Sequence, residues 1–145
     1  MSIDLPGTRP VSLPVLGSFL IMYGPVKATY WSYFDGVAAR VSPEMRKGPR
    51  GGGRDRDQIV RHTIRTESEE FAKRLGLRVP EGGALTPKGL RDHRETYVAT
   101  MRAYNAGEGK RMRSWNLPFL IRHSAYHSMD HAWEMEDKDL STPAK

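Results

Sequence analysis

The segment that decides the fold is the last long one in the chain, Phe119 to Asp137, which reads FLIRHSAYHSMDHAWEMED. We predict a helix that opens at Ser114 or Asn116 and continues to about Asp137, with Pro118 tolerated because it falls in the first turn. Almost nothing elsewhere in the chain alternates apolar and polar residues with the period of two that strands show. The sequence therefore predicts an all-α protein.

Three further helices are expected upstream, over residues 26–41, about 57–75 and 86–104. The first carries apolar residues at helical spacing and ends before Pro43, because a residue that precedes proline is pushed out of the helical conformation. Asp55 or Asp57 can cap the second, Gly76 can end it, and Thr86-Pro87 is a start signal for the third. Four helices with short connections predict an antiparallel four-helix bundle. We assign it to residues 27–140, after an irregular segment over residues 1–26 and before a disordered tail over residues 141–145.

The composition is that of an ordinary globular domain: 145 residues, of which 38% are hydrophobic and 28% charged. No apolar run approaches the ~20 residues that span a bilayer, and Pro14 and Gly17 interrupt the most apolar stretch, Val11 to Met22. The chain has no cysteine, which excludes disulfides, thiolate nucleophiles and cysteine-ligated zinc. We expect one cytoplasmic domain without membrane contact.

The formal net charge of +6 raises the question of a nucleic-acid partner. The positive charges crowd residues 46–56, however, and the segment from Glu134 to Asp139 is acidic. Such an uneven distribution argues against one continuous phosphate-binding face. Nucleic acid is therefore a disfavoured partner, and steep salt dependence of DNA binding would contradict this expectation.

Histidine spacing gives the main functional signal. His127 and His131 are four residues apart, so on a helix they share one face with Cβ atoms ~5–6 Å apart and can bind one ion. A third ligand has to come from another helix, and His62, on the predicted second helix, is the best candidate. On its own the histidine pair is also compatible with two polar groups on a helix surface. His123 precedes the pair by one step and is expected at the edge of the pocket or exposed.

Two blocks of sequence carry a family resemblance: residues 119–137, quoted above, and residues 45–62, which read MRKGPRGGGRDRDQIVRH. They resemble the last helix, and the loop and second helix, of the DinB-like superfamily, which includes YfiT-type proteins and the mycothiol-dependent maleylpyruvate isomerase domain. The resemblance implies a four-helix bundle with a metal bound by one histidine of the second helix and the histidine pair of the fourth, here His62, His127 and His131. Residues 1–30 depart from the family pattern, so the first helix is expected to be shortened or altered.

The resemblance also implies a type of chemistry. Family members include thiol-dependent transferases and isomerases, in which a low-molecular-weight thiol such as mycothiol binds the open position of the metal. Zinc, nickel and iron all suit imidazole ligands, so the metal is not identified. The alternative is a non-catalytic, stress-related protein that binds a metal or a small ligand.

The basic loop supplies a second hypothesis. Arg50, Arg54 and Arg56 surround the glycines that precede the second helix, where backbone N–H groups and the helix dipole favour anions. They are candidates for holding the carboxylate or phosphate of a small-molecule substrate or thiol. The alternative is a solvated connector.

Several other residues receive expectations that the structure can test. His93 lies among charged residues and is predicted on a solvated face. Glu134 is either a surface charge or a carboxylate that orients a metal ligand. Tyr126 and Trp133 are predicted in the core or at an interface.

A homodimer is also expected. A bundle with an incomplete first helix would expose apolar surface, and such surface marks association sites. The candidates for this interface are Tyr30, Trp31 and Phe34.

Overall fold

The computed structural model describes residues 30–141. This range contains four helices: α1 over residues 30–40, α2 over Arg56–Arg65, α3 over Pro87–Asn105 and α4 over Leu117–Asp137. It contains no strand, so the all-α prediction is confirmed for this part of the chain. None of its helices is long and apolar enough to cross a bilayer. The predicted start of α1 at residue 26, the irregular segment over residues 1–26 and residues 142–145 of the tail lie outside the described residues.

The helix ends follow local chemistry. The side chain of Asn116 accepts a hydrogen bond from the backbone N–H of Phe119 at 2.9 Å, which caps α4, and Thr86 does the same for α3. Helix α2 continues beyond Arg65 as a π-helical turn, Thr66–Phe71, and a 3-10 turn, Ala72–Leu75. Gly76 then ends it with a φ of 83°, in the left-handed region where glycine carries no steric penalty.

The helices share two adjoining groups of buried side chains. One draws on all four helical segments, and its members are Tyr30, Trp31, Phe71, Ala72, Tyr97, Met101, Leu117, Leu120 and Ile121. The other lies between α1, the start of α2 and the end of α4, and its members are Phe34, Val37, Val41, Met45, Ile59, Ala132 and Met135. Helix α4 contributes to both groups, so the histidines near its middle lie where they meet.

One sequence prediction about aromatic residues is wrong, and a second is wrong in one of its two alternatives. Tyr30, Trp31 and Phe34 are buried within the chain, because α1 packs its apolar face into the core, so they form no exposed patch for a dimer. Of the two places predicted for Tyr126 and Trp133, the core is wrong, because 65% and 50% of their surfaces are exposed, and the interface stays a prediction. They are seven residues apart, on the side of α4 opposite its buried residues.

The loop between α1 and α2 is tied to the end of α4. The backbone N–H of Arg46 donates to the carbonyl of Lys138 at 2.8 Å, and the backbone N–H of Ser42 donates to the Asp139 carboxylate at 2.8 Å. Gly51 turns the loop with a φ of 74°, and its N–H is bound within the turn by the carbonyl of Gly48. This attachment brings the basic loop next to the last turns of α4.

Candidate metal centre

Helices α2 and α4 bring the three predicted ligands together. His62, His127 and His131 each offer a nitrogen, and these nitrogens lie within 4.8 Å of one another. The ring centroids are 5.2 Å apart for His62 and His127, 4.9 Å for His62 and His131, and 4.6 Å for His127 and His131. Nitrogens that share an ion at ~2.0–2.1 Å are at most ~4.2 Å apart, so binding would draw the rings slightly together. The three residues could hold a metal ion.

The ring of His131 is held by a carboxylate. Its Nδ1 lies 2.6 Å from Oε2 of Glu134, one turn further along α4. Burial alone would raise the pKa of Glu134, but the hydrogen bonds from His131 and Lys138 lower it below its usual value. The carboxylate is therefore ionised and can only accept, so Nδ1 of His131 carries the proton and Nε2 is left with a lone pair for a metal. Of the two expectations for Glu134, the structure supports the carboxylate that orients a ligand.

The ring of His127 is better suited to bind a metal ion than to take up a proton. Burial, together with the neighbouring charges of His131 and His62, lowers its pKa to about 4. Its Nδ1 is buried and has no hydrogen-bond partner in the described part of the chain. A buried polar nitrogen without a partner is unfavourable, and a metal ion bound at Nδ1 would satisfy it. The donor set thus fits a metal: the imidazole is neutral at pH 7, as coordination requires.

His62 approaches from α2 and is the most exposed of the three. Burial lowers its pKa, and the charge of Arg54 adds to that effect. The same side chain lines a surface groove of about 390 Å³ together with Gln58, Thr66 and Glu69. His62 is therefore accessible to small solutes from the α2 side, whereas His127 and His131 do not line this groove.

The three arginines of the basic loop are placed differently from one another. Arg54 lies 3.6 Å from the carboxylate of Glu134, beside the histidine cluster. Arg56 turns away, with its Nε 2.9 Å from the carboxylate of Asp57, and Arg50 lies in the exposed glycine turn. Of the three candidates for binding an anionic ligand, Arg54 is the one whose charge acts on the cluster.

A buried carboxylate next to the cluster was missed by sequence reasoning. Glu67, in the π-helical turn, accepts hydrogen bonds from the hydroxyl of Tyr30 at 3.1 Å and from the indole N–H of Trp31 at 3.1 Å. Nε2 of His93 lies 2.9 Å from the same carboxylate. Burial and the charge of Glu67 raise the pKa of Tyr30 well above its usual value, so this hydroxyl stays a donor. The carboxylate thus joins α1, α2 and α3.

The expectation that His93 lies on a solvated face is therefore wrong. Its exposed fraction is 4%, and it stacks on Tyr97 with ring centroids 5.3 Å apart. The charged residues on either side of His93 point elsewhere, because neighbours in sequence lie about 100° apart around a helix. The informative signal was the spacing of His93, Tyr97 and Met101, which places all three on the buried face of α3.

His123 lies outside the metal cluster, as expected. It is exposed, and its ring stacks on Phe119 at 5.4 Å and contacts Trp115 at 5.0 Å and Phe71 at 5.2 Å. Its partners are aromatic carbons rather than the nitrogens of the other histidines.

The arrangement has the features of an open metal site. Three imidazoles leave at least one coordination position for water or a ligand, which a closed structural site does not offer. Beside the histidines, the carboxylate of Glu134 lies 3.6 Å from Arg54 and 3.0 Å from Lys138. Comparisons with protein-family models, with curated proteins and with solved structures found no match to this chain.

Proposed function

We propose that the protein binds one divalent metal ion through His62, His127 and His131 and offers its open coordination position to a small ligand. The observation that carries this proposal is the contact of 2.6 Å between His131 and Glu134. A carboxylate that holds the outer nitrogen of an imidazole fixes the orientation and tautomer of the ring for a metal at the other nitrogen. The low pKa of His127 supports the same conclusion.

We further propose that the domain is a DinB-like bundle. Support comes from the distribution of the donors, one from α2 and an i, i+4 pair from α4, and from the helix boundaries. This likeness suggests a thiol-dependent transferase or isomerase that uses a low-molecular-weight thiol of the mycothiol type. A divalent ion bound here would lower the pKa of a coordinated thiol or water and so supply a nucleophile at neutral pH.

The residues of the chain would have separate parts in such a reaction. Glu134 keeps the proton of His131 on Nδ1, so that the ring stays a ligand. Arg54 places a positive charge beside the cluster, where it favours a ligand that arrives as an anion. The groove beside His62 gives such a ligand access from solvent. Zinc, nickel and iron remain equally suited to three imidazoles.

Metal analysis of protein purified without a histidine tag tests the first proposal. The wild type should carry about one ion per chain, because ligands that two helices already hold close together bind the ion in place of water molecules. The double variant His127→Ala/His131→Ala should lose it, and His123→Ala, altered on the same helix but outside the cluster, should keep it. Full metal content in the double variant would show that the site is elsewhere.

A thiol-dependent activity screen tests the second proposal. Turnover of an electrophile with a mycothiol-type thiol, present in the wild type and absent from the double variant, would support a transferase or isomerase. Metal binding without turnover across the screen would favour the alternative, a non-catalytic protein that binds a metal or small ligand.

A further inference from the structure

The outer face of α4 carries an exposed aromatic stripe. Phe119, Tyr126 and Trp133 recur every seven residues, and 41%, 65% and 50% of their surfaces are exposed. Seven residues are close to two helical turns, so the three rings line up along one side of the helix, ~10 Å from one to the next. The buried residues of α4, such as Ser124, Ser128 and Met135, lie on the opposite side. Helix α4 thus has two apolar faces, and the core covers one of them.

The stripe is symmetric about its middle residue. Tyr126 is the centre, with one aromatic ring seven residues away in each direction, Phe119 before it and Trp133 after it. Charges follow the same symmetry: Arg122 lies four residues before Tyr126 and Asp130 four residues after it, and both are exposed. Neither forms an ion pair within residues 30–141.

We propose that this face is the interface of a homodimer in which two α4 helices pack antiparallel around a two-fold axis at Tyr126. A two-fold interface uses the same patch on both subunits, so each residue must meet its counterpart at the mirrored position. Here Phe119 meets Trp133 of the partner subunit, and Arg122 meets Asp130 of the partner subunit. Antiparallel helices that cross at ~20° keep such pairs in register over several turns.

The charge pattern identifies a second copy of this chain as the partner. In the antiparallel arrangement opposite charges face each other twice, whereas a parallel arrangement would place Arg122 against Arg122 and Asp130 against Asp130. An unrelated partner would have no reason to mirror the pattern about Tyr126. The proposal is independent of the metal, since none of these side chains belongs to the histidine cluster.

The available area is sufficient for a reversible dimer. Aromatic side chains bury ~150–250 Å² each, so the exposed fractions correspond to roughly 300 Å² for each subunit. Two subunits then supply roughly 600 Å² of the ~1,000 Å² that a specific interface needs. The remainder can come from Arg122, Asp130 and the half-buried Met129 on the same face.

Charge exchange tests the geometry directly by sedimentation velocity over a concentration series. The wild type should show a concentration-dependent dimer. Arg122→Asp and Asp130→Arg should each weaken dimerisation about tenfold. Each substitution removes two ion pairs across the interface and replaces them with two pairs of like charges, and each such change costs ~0.2–1 kcal/mol. The double variant Arg122→Asp/Asp130→Arg restores the opposite charges and should dimerise within about threefold of the wild type. Arg91→Asp, an exposed reversal on α3, is the matched control and should change nothing.

The aromatic contribution has its own control. Tyr126→Ser removes the central ring and should abolish the dimer, whereas Leu140→Ser, at another exposed apolar position, should leave it intact. Both sites are exposed, so folding is retained, and circular dichroism verifies this. A monomeric wild type, a dimer that Tyr126→Ser leaves unchanged, or a double charge variant as weak as the single ones would each overturn the proposal.

Discussion

Removal of the Glu134 carboxylate should weaken metal binding without removing any ligand. The hydrogen bond of 2.6 Å that His131 donates to it is charge-assisted, and such bonds contribute ~1.5–3 kcal/mol. In Glu134→Ala the ring of His131 loses both its orientation and its basicity, and the loss of a carboxylate in this position typically costs 10–100-fold in metal affinity. That range corresponds to ~1.4–2.8 kcal/mol, which agrees with the value of the hydrogen bond. Glu134→Gln keeps an acceptor oxygen but no charge, so its loss should be smaller.

Competition against a chromophoric chelator at pH 7 measures these affinities. Glu136→Ala is the matched control, because Glu136 lies on the same helix and holds Tyr33 and Arg40 but does not contact a histidine. Lys138→Ala is a second control. It removes another partner of Glu134, at 3.0 Å, and should change the affinity less than about twofold because this ion pair is partly exposed.

The outcome that refutes the reasoning is specific. If Glu134→Ala and Glu136→Ala bind the ion with equal affinity, the carboxylate does not act through His131. A parallel loss of unfolding free energy in the metal-free Glu134→Ala protein would show a structural role instead, so both quantities are measured on the same samples.

Three further predictions follow from the site and its surroundings. In the metal-free protein the folded-state pKa of His127 is about 4, against an ordinary value of 6.5. As the pH drops from 6.5 towards 4, the unfolded chain takes up the proton first, so the stability of the folded state should fall. Unfolding midpoints that do not change over this pH range would contradict this. Glu67→Leu removes the carboxylate that accepts from Tyr30 and Trp31 and lies 2.9 Å from His93. Each buried hydrogen bond lost costs ~1–3 kcal/mol, so unfolding in urea should show a loss of about 3 kcal/mol or more, against little change for the exposed Glu70→Leu. Arg54→Ala should weaken the binding of 3-mercaptopropionate to the Co(II) protein about tenfold without loss of metal, whereas Arg50→Ala should leave this binding unchanged. Equal effects of the two variants would show that the loop only connects two helices and does not bind the ligand.

Much of the fold could be predicted because its signals are local. Asn116, Thr86 and Gly76 act within a few residues of their own helix, through a cap or a left-handed backbone. The pair His127 and His131 is local for the same reason, since a spacing of four places both on one face. The ends of helices and one half of the metal site therefore could be predicted without knowledge of the tertiary structure.

The errors all concern residues whose environment depends on packing. Glu67 belongs to a run of charged residues, and an ordinary helix gives no reason to bury a carboxylate. In the structure the π-helical turn and the donors from two other helices offset the cost of its burial. The prediction for His93 was wrong because it relied on the charged neighbours of His93 in sequence. These neighbours do not reveal the carboxylate that faces His93 from the π-helical turn after α2.

Helix α4 shows why the sequence could not assign its faces. Leu120, Ser124 and Ser128 make one face that the core covers, and Phe119, Tyr126 and Trp133 make another that is exposed among residues 30–141. Both faces satisfy the helical period, and a helix that is apolar on two sides is normally buried on both. On the aromatic face the outer rings, and two opposite charges, in addition lie at equal distances on either side of Tyr126, which burial within one chain does not require. A second α4 helix would cover the apolar surface and account for the symmetric spacing. In such a dimer, the helix that forms the interface would also carry two of the three clustered histidines of each subunit.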